Sequence, residues 1–188
     1  MEQNSLKHED IVGTPRIYVA SLADYNAGRL HGCWIDADQP PERIYEEIQK
    51  MLSESKESAA EEWAIHDYVF FGDLELSEYE CIDHVADVAY QISQHGLVFA
   101  SLVAYFGGAS SVEEAFRCME ERYCGEYDSL TDYAEQFIED CYSDSIKNLP
   151  EFIRYHIDYE GIARDMELNG DVFTLECEGK VHVFYANI

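Results

Sequence analysis

The sequence predicts an α+β fold in three successive parts: a small antiparallel sheet with a helix, a helical bundle in the middle, and closing helices with a β-hairpin. Strand-like apolar runs bounded by turn residues recur before Gly72 and again after Asp171, while helical spacings dominate between them. The chain has 188 residues, of which 47% are hydrophobic and 13% aromatic. That is enough apolar material for a core, and it excludes a disordered chain.

Residues 1–14 are polar and unpatterned and read as a loose tail. The first α+β part covers 15–74. Arg16 to Ser21 (RIYVAS) reads as a strand, Leu22 to Gly28 carries the Asp, Asn and Gly of a turn, and Leu30 to Ala37 (LHGCWIDA) reads as a second strand. Trp34 and Ile35 on that strand are expected in the core. Pro40 and Pro41 suit a first helical turn, and Ile44, Ile48, Met51 and Leu52 follow at helical spacing. Trp63 to Phe71 (WAIHDYVFF) is the third strand.

The helical middle covers 75–124. Ser77 to Glu80 (SEYE) fits a capping box, Ile82, Val85, Ala86, Ala89 and Ile92 form an apolar stripe, and His95-Gly96 is a stop signal. Leu97 to Phe106 is apolar nearly all round, as a buried helix is, and Gly107-Gly108 ends it. A second capping box at Ser111 to Glu114 opens a helix carrying Val112, Ala115, Phe116 and Met119. The last part, 125–188, starts with a helix from about Asp128 to Cys141. It passes Pro150 into another helix and closes on a hairpin, Val172 to Cys177 and Val181 to Ala186, about a Glu178-Gly179 turn.

Charge is the dominant functional signal. The formal net charge is −27, from 39 acidic and 12 basic side chains. Nucleic acid and anionic membranes attract Lys and Arg clusters, so neither is an expected partner; a basic protein surface is. The excess is regional. Glu75, Glu78, Glu80, Asp83, Asp87, Glu113 and Glu114 lie in a stretch from Glu57 to Phe116 without Lys or Arg. Between Tyr123 and Ile146, Glu126, Asp128, Asp132, Glu135, Glu139, Asp140 and Asp144 again have no basic neighbour. These fourteen carboxylates are the candidate partner-binding residues.

On one helix, Asp128, Asp132, Glu135 and Glu139 align in a stripe opposite Leu130, Ala134, Phe137 and Cys141. The stripe covers roughly 16 Å of axis, against one phosphate per roughly 3.4 Å along a DNA strand. Glu80, Asp83 and Asp87, flanked by Gln91 and Gln94, repeat the arrangement. Such spacings repel by a few tenths of a kcal/mol per pair, so selection for stability alone would place Lys among them. Two blander readings compete: solvated acidic helix faces, and halophilic adaptation. The second should spread acids evenly, yet Arg16, Arg29, Arg43, Lys50 and Lys56 gather in the first part.

Other constellations read as structure. Asp24, Tyr25, Asn26 and Gly28 are what a turn requires. The seven histidines show no HExxH or similar spacing, and Asp36, Asp38 and Glu42 lack the order of an EF-hand loop, so no metal or cofactor is expected. No nucleophile elbow, P-loop or dinucleotide fingerprint is present, and the chain reads as a non-enzyme. Six cysteines without a CxxC pair, and no apolar segment of about 20 residues, fit a reduced, soluble, cytoplasmic protein. Tyr79, Tyr90, Tyr127, Tyr133 and Tyr142 stand beside the acidic rows, either as extra hydroxyls or, more simply, as core rings.

Two segments carry a family resemblance. Pro15 to Asp36 (PRIYVASLADYNAGRLHGCWID) resembles the opening of ArdA-type antirestriction proteins, with a LADYNxG turn and a GxWID strand. Leu149 to Thr174, with its IDYE and ARDxxxxGD elements, is similar to their ending. The resemblance implies an elongated molecule, a homodimer through its C-terminal part, that presents carboxylates as bent B-form DNA presents phosphates. It further implies binding to the methyltransferase core of type I restriction-modification enzymes. The alternative is an acidic adaptor or chaperone-like module for a basic DNA-binding protein.

Overall fold

The computed structural model describes residues 13–57 and 60–186; nearly all of the expected tail, and Ser58 of the Ser and Glu run after the first long helix, lie outside them. The fold is α+β with two small antiparallel sheets. The chain divides into two compact units, one ending at Val112 and the other beginning at Glu113.

In the first unit, β1 (Arg16–Ser21) is followed by α1 (Leu22–Asn26), β2 (Gly32–Asp36), α2 (Pro41–Ser53) and β3 (Trp63–Val69). The sheet order is β2-β1-β3. Ile17 pairs with Ile35, and one face of β1 and β2 buries Ile17, Val19 and Ile35. From α2, Ile44, Ile48, Met51 and Leu52 are buried too, the four positions that its spacing singled out. Successive strand residues point to opposite faces, so burying Ile35 turns Trp34 outward. Trp34 is 37% exposed, packs at 5.5 Å on Tyr18 and lies under the Arg16 guanidinium, which corrects its assignment to the core.

The expected turn after β1 is instead a short helix. Ser21 caps α1 by accepting from the Asp24 amide, and Gly28, at φ 75°, takes the left-handed turn that follows. Asp24 is buried. Its carboxylate accepts from Arg29 Nε at 3.2 Å and from the Ser55 hydroxyl, while Arg29 also reaches Glu57. The Ser55 hydroxyl, then Ser21 and Arg29, hold Asp24 below the usual carboxylate range against the effect of burial.

Two helices complete this unit. They are α3 (Ile82–His95) and α4 (Leu97–Tyr105), followed by a 3-10 turn, Ala109–Ser111. α3 packs on both α2 and α4. Its apolar stripe is buried, and Gly96 at φ 79° separates the two helices where the stop signal stands. The SEYE box does not start α3. Ser77 bonds Glu80 within a turn, and the helix begins only at Ile82, after Cys81. The box at Ser111 likewise departs from expectation, because the Ser111 hydroxyl donates to the Phe106 carbonyl.

Helix α5 (Val112–Arg122) begins at the boundary residue Val112 and otherwise lies in the second unit, which continues with β4 (Tyr123–Tyr127), α6 (Leu130–Lys147), α7 (Glu151–Arg154), α8 (Tyr159–Leu168), β5 (Val172–Cys177) and β6 (Lys180–Tyr185). The hairpin forms with Glu178 and Gly179 at φ 50° and 78°, the left-handed pair that a two-residue turn requires. Strand β4 has no counterpart among the strands expected from the sequence, and it makes β6 the central strand of β4-β6-β5. Helices α6 and α8 pack on each other, and Tyr133, Val172 and Val183 form the buried core.

His182 on β6 is also buried. Its Nδ1 lies 2.8 Å from the Tyr123 hydroxyl, with Glu126 opposite it on β4. Burial pushes its pKa below the ordinary value, and Glu126 and Glu178 only partly oppose this. The unfolded chain therefore takes up a proton near pH 6.5 that the folded state resists, and stability falls as pH drops below about 6.5. Chemical denaturation of the wild type at pH 7.5 and pH 5.5 should show that loss, and His182→Gln should reduce the pH slope. Phe184→Ala, in the central strand, should cost about 3–5 kcal/mol at either pH.

Candidate anionic interface

The carboxylates are placed by the apolar faces behind them. On α3, burial of Ile82, Val85, Val88, Ala89 and Ile92 leaves Asp83 and Asp87 on the outer side with Tyr90 and Gln94. At about 100° per residue these four share one stripe, with Asp83 and Asp87 roughly 6 Å apart along the axis. Glu75, Glu78 and Glu80 all precede the helix, so Glu80 is not part of the helical stripe expected of it. Tyr45, on α2, lies beside Asp83: burial first, then the charge on Asp83, pushes its hydroxyl pKa up.

On α6 the expected stripe is shorter than the sequence suggests. Asp128 precedes the helix, whose N-cap is Ser129, and its carboxylate accepts from Lys180 Nζ at 2.6 Å. That hydrogen bond, and the charge behind it, hold Asp128 below the usual carboxylate range. Asp132 has a local role as well. It sits in the first turn, its amide donates to the Ser129 Oγ at 3.2 Å, and the Ser129 hydroxyl donates back to its carboxylate. Glu135 and Glu139 follow on the same outer face, opposite buried Tyr133 and Ala134.

Neighbouring side chains mark the edges of this row. Tyr159, at the start of α8, feels Glu135 and Glu139: burial raises its pKa first and the two carboxylates raise it further. Asp140 lies off the stripe, close enough to raise Tyr127, whose pKa burial already lifts. Tyr142 departs from helical geometry at φ −124° and ψ 19°, so Asp144 lies beyond a kink. Glu139, Asp140, Lys147 and Arg154 line one open groove of about 420 Å³, which brings two cations to the end of the row.

Glu113 and Glu114 in the first turn of α5 and Glu126 on β4 are exposed, as are all the others in the set except the half-buried Glu80. Of the fourteen, only Asp128 forms an ion pair among the described residues. The structure brings Asp83 with Asp87, and Asp132 with Glu135 and Glu139, into rows. Glu75 to Asp87 belong to the first unit, and Glu113 to Asp144 to the second. Tyr79, Tyr90 and Tyr142 are exposed rather than core rings, Tyr127 is half-buried and Tyr133 is buried.

Asp38, set aside above as a metal ligand and not among the fourteen candidates, lines a groove with Asp87 and Tyr90. Lys180, which no sequence pattern links to Asp128, is its ion-pair partner. No spacing rule connects residues so far apart in the chain. Cys33, Cys81, Cys118, Cys124 and Cys141 are free thiols, and burial pushes Cys33, Cys118 and Cys124 up. Among the described residues no cluster of His, Cys, Asp or Glu is arranged to hold a metal ion, and no helix is long and apolar enough to cross a membrane.

Fold and surface together define a class: a carboxylate-presenting α+β protein. A model of the ArdA antirestriction proteins matches residues 17–179, and the chain belongs to that family. No individual curated protein matches it.

The two kinds of carboxylate on α6 should separate in thermal melts at low salt. Glu135→Gln with Glu139→Gln removes an i, i+4 repulsion of a few tenths of a kcal/mol and should raise the midpoint slightly. Asp132→Ala removes a capping and helix-dipole contribution of about 0.5–1 kcal/mol and should lower it.

Proposed function

We propose that this antirestriction protein inhibits type I restriction-modification enzymes by presenting its carboxylates in place of DNA phosphates, and that it catalyses no reaction. The supporting observation is that thirteen of the fourteen candidate acids, all exposed but the half-buried Glu80, form no ion pair among the described residues. Their charge is therefore available to Lys and Arg of a partner. The partner we propose is the DNA-binding groove of the methyltransferase core, where several weak contacts act together and displaced counterions add to affinity. Specificity comes from the spacing and curvature of the rows, since such a groove is shaped for deformed DNA.

The protein acts in the cytoplasm, where its target works, and needs no cofactor. Pairing of two copies through residues 125–188 is part of the same proposal. Phe152 and Tyr155, 70% and 78% exposed on and just after α7, supply apolar area for that contact. Sedimentation at micromolar concentration should give a dimer, and a monomer would remove the pairing without touching the inhibition.

Competition tests the inhibition directly. The full chain should displace duplex DNA from a type I methyltransferase core, and binding should weaken steeply as salt rises from low to physiological strength. Single neutralisations should each cost at most about 1 kcal/mol. Joint neutralisation of Asp83, Asp87, Glu135 and Glu139 should cost more than any one of them, with circular dichroism unchanged. Simultaneous binding of DNA and this protein would favour the adaptor alternative. Loss of all inhibition on one substitution would point to a discrete site.

A further inference from the structure

Not every carboxylate stands on an open face. In the first unit, Asp38, Pro40, Pro41, Ala86, Asp87 and Tyr90 line a groove of about 440 Å³ between the loop leading into α2 and the outer side of α3. Its walls are stiff. Pro40 and Pro41 have fixed φ, and the remaining lining residue, Gln39, is held by hydrogen bonds of 2.8 Å from its amide to the Asp36 carbonyl and to Glu47. Ala86 is a buried small residue, and the Tyr90 ring is 53% exposed. Neither Asp38 nor Asp87 has an ion-pair partner among the described residues.

An apolar trough with an exposed aromatic ring and two carboxylates complements one kind of side chain, a long apolar stem with a cationic head. The geometry points to this groove as an anchor site for a single arginine of the protein partner. Its methylenes would lie along Pro40, Pro41 and Ala86, and its guanidinium would meet Asp38 and Asp87 with a face on Tyr90. Arginine suits the site better than lysine because its planar head bridges carboxylates and stacks on rings, and it is less strongly hydrated. This rests on the reading that the chain binds a basic protein. It adds that affinity is not spread evenly over the acidic rows, because a desolvated arginine pocket contributes more than a rim charge.

Two experiments test it. In the first, the full chain is titrated with N-acetyl-arginine amide and followed by NMR. Saturable shifts confined to Ala86, Asp87, Tyr90 and the Asp38 loop are expected, weaker with N-acetyl-lysine amide, lost in Tyr90→Ala and retained in Tyr90→Phe. Non-saturating shifts spread over all the acidic residues, or equal responses in both Tyr90 variants, would overturn the site whatever the protein inhibits.

In the second, Asp38→Asn with Asp87→Asn is compared with the control pair Glu120→Gln and Glu121→Gln, which changes net charge equally. The pocket pair should raise the concentration needed to displace DNA about tenfold or more, and the control about threefold or less. Equal losses would remove the anchor and leave the antirestriction reading intact. Saturable arginine binding without displacement of DNA would do the reverse.

Discussion

Like-charge repulsion is the constraint around which this chain is built. A net charge of −27 opposes compaction, so each helix must bury a continuous apolar face while holding its carboxylates on the other side. α3 does this with Ile82, Val85, Val88, Ala89 and Ile92 behind Asp83 and Asp87, and α6 does it with Tyr133 and Ala134 behind Glu135 and Glu139. The core thus fixes where the acids point. Without that burial, nothing in the rows themselves would keep neighbouring charges together.

Among the described residues, the cations that form ion pairs act as latches rather than as neutralisers of the rows. Arg29 ties Asp24 to Glu57, Arg16 pairs with Asp36 at 2.8 Å, and Lys180 ties the hairpin to Asp128. Each joins segments distant in sequence or adjacent strands. Among the described residues the acids of α3 and α6 are left without such ion-pair partners. Asp24 shows the contrast well. It lies within the same LADYN segment that marks the family resemblance, yet its carboxylate is buried and serves the fold.

Acidity also has an internal cost that is local and mixed. Asp132 favours its helix through the first turn, whereas Glu135 and Glu139 repel each other a turn further on. Charge density alone therefore does not rank these residues by function. Glu135 and Glu139 have no ion-pair partner among the described residues, while Asp128 and Asp132 have structural duties of their own.

The sequence by itself determined the α+β class, the apolar stripe of α3, the buried α4, the Glu178-Gly179 hairpin and the regional acidity. All of these follow from interactions within about one helical or hairpin turn, where spacing and turn chemistry are decisive. Family membership was legible for the same reason, in two contiguous segments at the ends of the match. Tertiary structure alone decided that β4 joins β6, because its short run with Gly125 and a register shift near Cys124 carries no alternating pattern. It alone withdrew Asp128 from the α6 row by bringing up Lys180, turned Trp34 outward, and set Asp38 beside Asp87 and Tyr90. These outcomes depend on which distant segments pack together, and no local periodicity encodes that choice.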